Sequence, residues 1–452
     1  MERLLGSMSR GRGVLVVRAV WPMQNKLLDD CFAHDKKRLR HDAALAILKE
    51  RVRPVVDPEI VALTAAAGRI LAAAAVAPRP IPAHTNAAVD GYSFAAGDCD
   101  ATAETELIVG GRAAAGHPLS SRPAARTAVR IFTGAVMPEG HDTVVMQEDV
   151  RTRAAGGRTL VAIPAGSRRG ANVRKAGEDV KAGETVLTEG AVLRPQDLAA
   201  LASLGFSEVA SFKRLRVAIV STGDEVRRGG GTPGSQLDTG QVYDANAPML
   251  VPLIAGAGAV ATDLGVFPDD LQEVKARLVE AARTFDVIVT TGGTSRGEED
   301  HVVAALDALG KRHMWQLAIK PGRPMSFGQI GDCVVLGLPG NPVAVFVCFL
   351  LYVWPLLRRM GGAAWPEPRR LSLPALFAFP DRKVGRREFW RGMLRETAQG
   401  LAVDKFARDG SGLISGLRAA DGLIDIPEEV AEVKPGDLVA FIPFTEFGIV
   451  GR

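Results

Sequence analysis

Hydrophobic and polar positions follow three different grammars along the chain. Between Arg214 and Met360, short apolar runs rich in β-branched residues (RLRVAIV at Arg214–Val220, DVIVTT at Asp286–Thr291, CVVLGL at Cys333–Leu338) alternate with amphipathic stretches such as LQEVKARLVEAARTF at Leu271–Phe285. Strands buried on both faces read as unbroken apolar runs, and helices carry a 3.6-residue period. The alternation therefore predicts a doubly wound, mostly parallel sheet with helices on both faces. From about residue 83 to 182 the pattern shifts to short β-like runs, LIVGG, AVRIFTG and DTVVMQEDV, punctuated by glycine and proline, which predicts a β-rich unit. The last segment, 365–452, is β-like again, with candidate strands at Val384–Leu394 and Asp437–Pro443.

Helical signals frame these units. Leu45, Leu48 and Val52 recur at helical spacing within 35–53, and the basic residues Lys36, Lys37, Arg38 and Arg40 form its solvated side. An alanine-rich piece, Val61–Ala75, is expected to be helical up to the proline run Pro78–Pro82, which marks a boundary. In RPQDLAALASLG, Pro195 suits the first turn of a helix. The most apolar run, Val343–Leu357, is shorter than the roughly 20 residues a spanning helix needs and is expected to be a core helix.

Composition adds limits. At roughly 150 residues per domain, 452 residues imply about three domains. A net charge of +4 is nearly neutral over this length, so neither nucleic acid nor an anionic membrane is expected as a partner. Cys31, Cys99, Cys333 and Cys348 are far apart with no CxxC pair, which argues against a disulfide framework or a thiolate zinc site and fits a reducing cytoplasm. Residues 1–22 are basic and then apolar, but Arg18 interrupts the run, so they are expected to be a disordered extension or the product of a start assigned too far upstream. The 49 glycines and 27 prolines exceed the usual ~7% and ~5% shares, and their position becomes the informative feature.

Many of them lie in loops that follow the predicted strands: Thr222–Glu225 (TGDE), Pro268–Asp270, Gly292–Asp300 (GGTSRGEED), Lys320–Pro324 (KPGRP) and Leu338–Pro342 (LPGNP). In an open α/β sheet, ligands bind at the carboxyl ends of the strands, and small residues let a phosphate approach backbone N–H groups. The carboxylates of Asp224, Glu225, Asp269, Asp270, Glu298, Glu299 and Asp300 would repel such an anion unless a hard cation such as Mg²⁺ sat between them. Lys320 and Arg323 suit a small oxyanion or phosphate. Taken singly, TGDE is equally a helix cap and GGT or LPGNP a turn. A P-loop motif is absent, and no GxGxxG stands at the first strand, so neither a P-loop NTPase nor a dinucleotide dehydrogenase is indicated.

Taken together the motifs resemble the molybdopterin molybdenumtransferase family of MoeA and gephyrin E-domain type. The resemblance runs from about Leu27 to the end through NAAVDGYSF (Asn86–Phe94), RIFTGAVMPEGHDTVVMQED (Arg130–Asp149), GANVRKAGEDVKAGE (Gly170–Glu184), TGDE, GGTSRGEED, AIKPGRP, GLPGNP, GRREF (Gly385–Phe389) and DGSGLISGL (Asp409–Leu417). Ala344 departs from the pattern, since many members carry Ser after GNPV.

The resemblance implies four units: a helical linking unit from 55–80 and 183–210, a β-rich unit at 81–182 inserted into it, an α/β substrate-binding unit from 35–54 and 211–364, and a C-terminal β unit at 365–452. It implies an elongated cytoplasmic homodimer that takes adenylylated molybdopterin and molybdate to molybdenum cofactor, releasing AMP with Mg²⁺ as cofactor, and a molybdopterin adenylyltransferase among its partners, the proteins that deliver the substrate being left open by the sequence. Carried over residue by residue, Glu225, Asp269 and Asp300 handle metal and pyrophosphate with Asp270 beside them, one carboxylate orienting the attacking group or water. Lys320 and Arg323 hold the oxyanion. Thr222, Gly223, Asp224, Gly292, Gly293, Thr294 and Ser295 cradle the substrate, and Pro339, Gly340, Asn341 and Pro342 shape its loop. Asp90, Thr133 and Asp179 complete the catalytic set from the β-rich unit, facing the site of the other protomer. The alternatives are a molybdopterin adenylyltransferase, whose family reads GGTG rather than GGTS, and a gephyrin-like scaffold without enzymatic activity. Tungstate is a tetrahedral dianion of similar size and an equally acceptable oxyanion.

Overall fold

The computed structural model describes residues 38–230, 236–292 and 301–451. The readings of residues 1–22 and of Gly293, Thr294, Ser295, Glu298, Glu299 and Asp300 lie outside the described residues.

The central sheet has six strands in the order Val260–Phe267, Arg216–Thr222, Val287–Thr291, Cys333–Leu338, Pro324–Ile330, Lys311–Gln316. The first four run parallel, Pro324–Ile330 runs antiparallel to them, and Lys311–Gln316, antiparallel to Pro324–Ile330, returns to their direction. Strand Val287–Thr291 is buried throughout and strand Cys333–Leu338 likewise, which is why both appear as unbroken apolar runs. One face carries helices His41–Arg51, Asn246–Gly256 and the long helical segment Pro342–Met360, which share a core with Val217, Val289 and Leu336. The opposite face packs Val274, Leu278 and Ala281 of helix Leu271–Thr284 and Val302, Ala305 and Leu306 of helix His301–Leu309. Helix Pro342–Met360 is long and apolar enough to cross a membrane by composition, but 89% of its apolar window is buried inside the protein. It is the core helix its sequence predicts.

The segment Val61–Ala75 is not helical, contrary to its alanine content. It contains the end of strand Pro58–Ala62, which pairs antiparallel with Glu208–Phe212, then a single 3-10 turn at Leu63–Ala65, followed by turns and isolated bridges at Ile70 and Leu71. Val61, Leu63, Ala66, Leu71 and Ala75 pack on Leu193, Leu201 and Val209, so tertiary pairing overrides a weak intrinsic propensity. Only Pro195–Ser203 is an α-helix in this unit, with Pro195 in its first turn.

The β-rich unit holds six strands in the order Thr143–Met146, Gly91–Phe94, Thr127–Ile131, Thr105–Ala113, Arg158–Ile163, Arg151–Ala155. The C-terminal sheet runs Ile319–Lys320, Arg387–Thr397, Gly422–Ile426, Leu438–Pro443, Leu371–Pro374, with Gly400–Lys405 paired on Arg387–Thr397. Its first strand comes from the central unit, so Lys320 lies directly opposite Glu388.

Candidate functional site

Four of the five candidate loops leave the carboxyl ends of adjacent parallel strands: Thr222–Glu225, Pro268–Asp270, the turn at Gly292, and Leu338–Pro342. The fifth reaches the same edge by a different route. The short strand before Lys320–Pro324 belongs to the C-terminal sheet, but Pro324–Ile330 runs antiparallel to Cys333–Leu338 and so starts beside that strand's end. The expectation that every loop follows a strand of one parallel sheet is corrected to that extent.

The loops are stitched together. Thr222 Oγ1 donates to the Thr291 carbonyl at 3.2 Å, Gly292 N donates to the Leu338 carbonyl at 3.1 Å, and Asn246 Nδ2 donates to the Gly340 carbonyl at 2.8 Å. Two glycines suit the positive φ that these turns adopt. At Gly292 φ is +88° and a Cβ would sit 2.7 Å from Thr222 Oγ1; at Gly223 φ is +124° and a Cβ would meet the Glu225 carboxylate at 2.4 Å. Beneath them Asp244, nearly buried, accepts from Ser221 Oγ, from the amides of Asn246 (2.8 Å) and Ala247 (3.1 Å), and pairs with Arg228 at 2.9 Å. This bracing went unnoticed in the sequence, although Asp-x-Asn ahead of an apolar helix is a readable capping signal.

The acidic residues divide by duty. Asp269 is 39% exposed and lies 3.3 Å from His301 Nε2. Asp270 caps helix Leu271–Thr284, its Oδ1 accepting from Glu273 N at 2.8 Å, which is the ordinary cap geometry. Asp224 and Glu225 are exposed. Among the described residues no group of three His, Cys, Asp or Glu side chains converges as a metal cage. Mg²⁺ does not require one, because it is commonly held by one or two carboxylates together with substrate phosphates. The all-oxygen donors of Glu225 and Asp269 suit that arrangement.

A cavity of about 580 Å³ opens where the central edge meets the C-terminal sheet. Lys320, Gly322, Arg323, Pro339, Gly340, Asn341 and Ala344 line one side, and Trp390, Arg391, Lys405 and Ser411 line the other. Pro342, just beyond this lining, begins helix Pro342–Cys348, whose Val343 amide donates to the Ser411 carbonyl at 3.0 Å, joining the two walls. A Cβ at Gly322, where φ is +97°, would overlap Cys348 Sγ, so the loop is seated directly on the core helix. Arg391 is buried and donates to the carbonyls of Leu413 (3.1 Å) and Arg408 (2.8 Å), and Lys405 pairs with Asp409 at 2.7 Å. Arg323 has no side-chain partner among the described residues. Lys320 lies 3.6 Å from Glu388. Burial alone would raise the Glu388 carboxyl, but the Trp390 indole N–H, the Arg386 guanidinium and the Lys320 charge outweigh it and hold it below the usual carboxylate range. The contribution of Glu388, Trp390, Arg391 and Lys405 was not read from the sequence.

Asp90 and Thr133 come together in the β-rich unit: Asp90 Oδ1 accepts from Thr133 N at 2.8 Å and from Thr133 Oγ1 at 2.7 Å. These two bonds, the amide first, lower the Asp90 carboxyl from its ordinary value. Asp179 is exposed, and its amide donates to the Ile81 carbonyl at 3.1 Å. No hydrogen bond or ion pair among the described residues joins these three to the central-edge loops of the same chain.

Comparison with known proteins agrees over most of the chain. Residues 39–205 match the model of the MoeA N-terminal region (domain I and II), residues 218–359 a probable molybdopterin binding domain, and residues 374–444 the MoeA C-terminal region (domain IV). The chain is 36% identical over 405 residues to the molybdopterin molybdenumtransferase of Haemophilus influenzae, covering 89% of this chain and 98% of that one. It is 35% identical over 411 residues to molybdopterin molybdenumtransferase 2 of Mycobacterium tuberculosis, covering 88% and 96%. A crystal structure of the MoeA molybdopterin biosynthesis protein from Pyrococcus horikoshii superposes with a TM-score of 0.75 at 29% identity, covering 90% of this chain and all of that one.

Proposed function

The chain belongs to the molybdopterin molybdenumtransferase family of MoeA type and is a transferase of molybdenum cofactor biosynthesis, and on that footing we propose how its own residues act. The substrates are adenylylated molybdopterin and molybdate, and AMP leaves as molybdenum cofactor forms. The observation that carries this reading is the cavity at the carboxyl edge, which presents the cations Lys320 and Arg323 beside glycine-lined loops.

Lys320 and Arg323 bind the tetrahedral oxyanion, Arg323 through the free fork of its guanidinium. The backbone around Gly292 approaches the molybdopterin phosphate closely, and Gly293, Thr294 and Ser295 of the same motif extend that cradle. Thr222, Gly223 and Asp224 flank it, and Pro339, Gly340, Asn341 and Pro342 fix the loop opposite. Glu225 and Asp269 hold Mg²⁺ with Asp300 of the same motif, and Asp270 contributes only through the carboxylate oxygen that is not capping its helix. Bound there, Mg²⁺ would offset the charge of the pyrophosphate. His301 orients Asp269, which positions the attacking group or water, a placement worth several kcal/mol on effective-molarity grounds.

Asp90, Thr133 and Asp179 act on the site of a second protomer, so the working form is a cytoplasmic homodimer, and a molybdopterin adenylyltransferase supplies the substrate. The test is to incubate the purified protein with adenylylated molybdopterin, Mg²⁺ and molybdate and to follow AMP. Release that depends on molybdate is expected. AMP-containing product made only from ATP and molybdopterin would instead mark an adenylyltransferase, and no turnover from either mixture would leave the scaffold role.

A further inference from the structure

Glu388 is a fully buried carboxylate that the reaction does not use, and its surroundings explain what it does. It is 1% exposed. Its Oε2 accepts from Trp390 Nε1 at 2.9 Å and its Oε1 from Arg386 Nε at 2.9 Å, while Arg382 Nε lies 3.8 Å away. Arg382 is itself buried and spends its terminal nitrogens on the carbonyls of Val430 and Arg386. One carboxylate therefore sits among fixed donors and cannot rotate away.

Its remaining neighbour is Lys320 Nζ at 3.6 Å, on a side chain that is 44% exposed at the cavity wall. Backbone pairing places the two residues opposite each other on neighbouring parallel strands, so the ladder holds their backbones together and the lysine stem is what remains to be ordered. At 3.6 Å the pair attracts without a hydrogen bond, which leaves the three ammonium donors for a ligand.

We propose that Glu388 is a positioning residue for the oxyanion site: it fixes the Lys320 ammonium at the cavity wall before the ligand arrives. A free lysine stem carries rotamer entropy that an anion would otherwise have to quench. The negative charge of Glu388 does not oppose the anion, because Arg386 and Arg382 already offset it from behind. The inference rests on the reading of Lys320 as an oxyanion ligand.

The probe is molybdate alone, titrated into the full-length protein by calorimetry at constant ionic strength. Glu388→Gln is expected to weaken binding by about 3- to 10-fold, the scale of freeing one partly exposed cation from a fixed orientation. Lys320→Ala is expected to weaken it further, and Glu388→Gln added to Lys320→Ala to change it less than about 2-fold, because the effect passes through Lys320. Glu388→Asp keeps the charge for Arg382 and Arg386 but draws back from Lys320 by one methylene, and it should show the same loss with a near-wild-type melting temperature. That variant decides the matter if Glu388→Gln does not fold, and failure of Glu388→Asp to fold would also overturn the proposal, since placing one lysine is not a folding requirement. Unchanged or tighter binding in a folded variant, or the same loss in the Lys320→Ala background, would overturn it as well. Absence of molybdate binding to the unaltered protein would instead remove the oxyanion reading of the site and the inference with it.

Discussion

On the cation side of the site, Lys320 and Arg323 rise from a loop pressed against the core helix at Cys348 and tied to the buried Glu388, whereas the acidic side chains a few strands away stand in the open. Asp269 touches only His301 among the contacts described, Asp270 is occupied as a helix cap, and Asp224 and Glu225 are solvated. The contrast follows from solvation. Ionised carboxylates are costly to bury without a counter-ion, so these stay hydrated, and on the proposed reading a hard cation and a phosphate would arrive together. The cation side can be built in advance because Lys320 has the buried Glu388 behind it and Lys405 has Asp409, which leaves Arg323 to be matched by the proposed oxyanion.

If that contrast is correct, the cation side should tolerate change least. Arg323→Ala removes a guanidinium that has no side-chain partner among the described residues, and molybdate-dependent AMP release should fall by about 10²- to 10³-fold, as when one preorganised charge donor is lost. Melting temperature should stay close to that of the unaltered protein. On the acidic side Asp269→Asn should cost about 10- to 100-fold and raise the Mg²⁺ concentration needed for half-maximal rate, and EDTA should abolish turnover in both proteins. An Asp269→Asn enzyme with an unchanged Mg²⁺ requirement would show that the open carboxylates do not hold the metal.

The foundation under the cation side can be probed through His41. Its imidazole is buried, its Nδ1 lies 2.9 Å from the Tyr352 hydroxyl, and its ring meets Phe389 edge-on. Burial first, and then the Arg387 charge, push it down to about 4 from 6.5. The unfolded chain therefore binds the extra proton between those values, so this contribution is complete above pH 6.5 and is lost as pH falls towards 4. Urea unfolding at pH 7 and pH 5 should differ by about 2 kcal/mol from this group, and the difference should shrink by that amount in His41→Gln. Gly292→Ala should have the smallest effect, about 1–2 kcal/mol of stability in the same experiment, because the new Cβ meets Thr222 in a left-handed turn.

Much of this architecture was readable in the sequence because the responsible signals are local. Val287–Thr291 and Cys333–Leu338 announce buried parallel strands by unbroken apolar runs, and Pro195 and Pro342 sit in the first turns of helices. The alanines of Val61–Ala75 misled because helix propensity per residue is small beside the pairing of Pro58–Ala62 with a strand about 150 residues away. The far wall of the cavity was hidden for a related reason. Lys320 and Glu388 are far apart in the chain, and nothing near either residue encodes their register. Arg391 and Lys405 look like ordinary charges in a β segment until the two walls meet.

The most direct test combines substrate chemistry with the cation side: molybdate titration of AMP release from adenylylated molybdopterin, in the unaltered protein and in Arg323→Ala. The structure predicts saturable, molybdate-dependent release that Arg323→Ala all but removes. Equal release from both proteins at every molybdate concentration would contradict the placement of the oxyanion in this cavity.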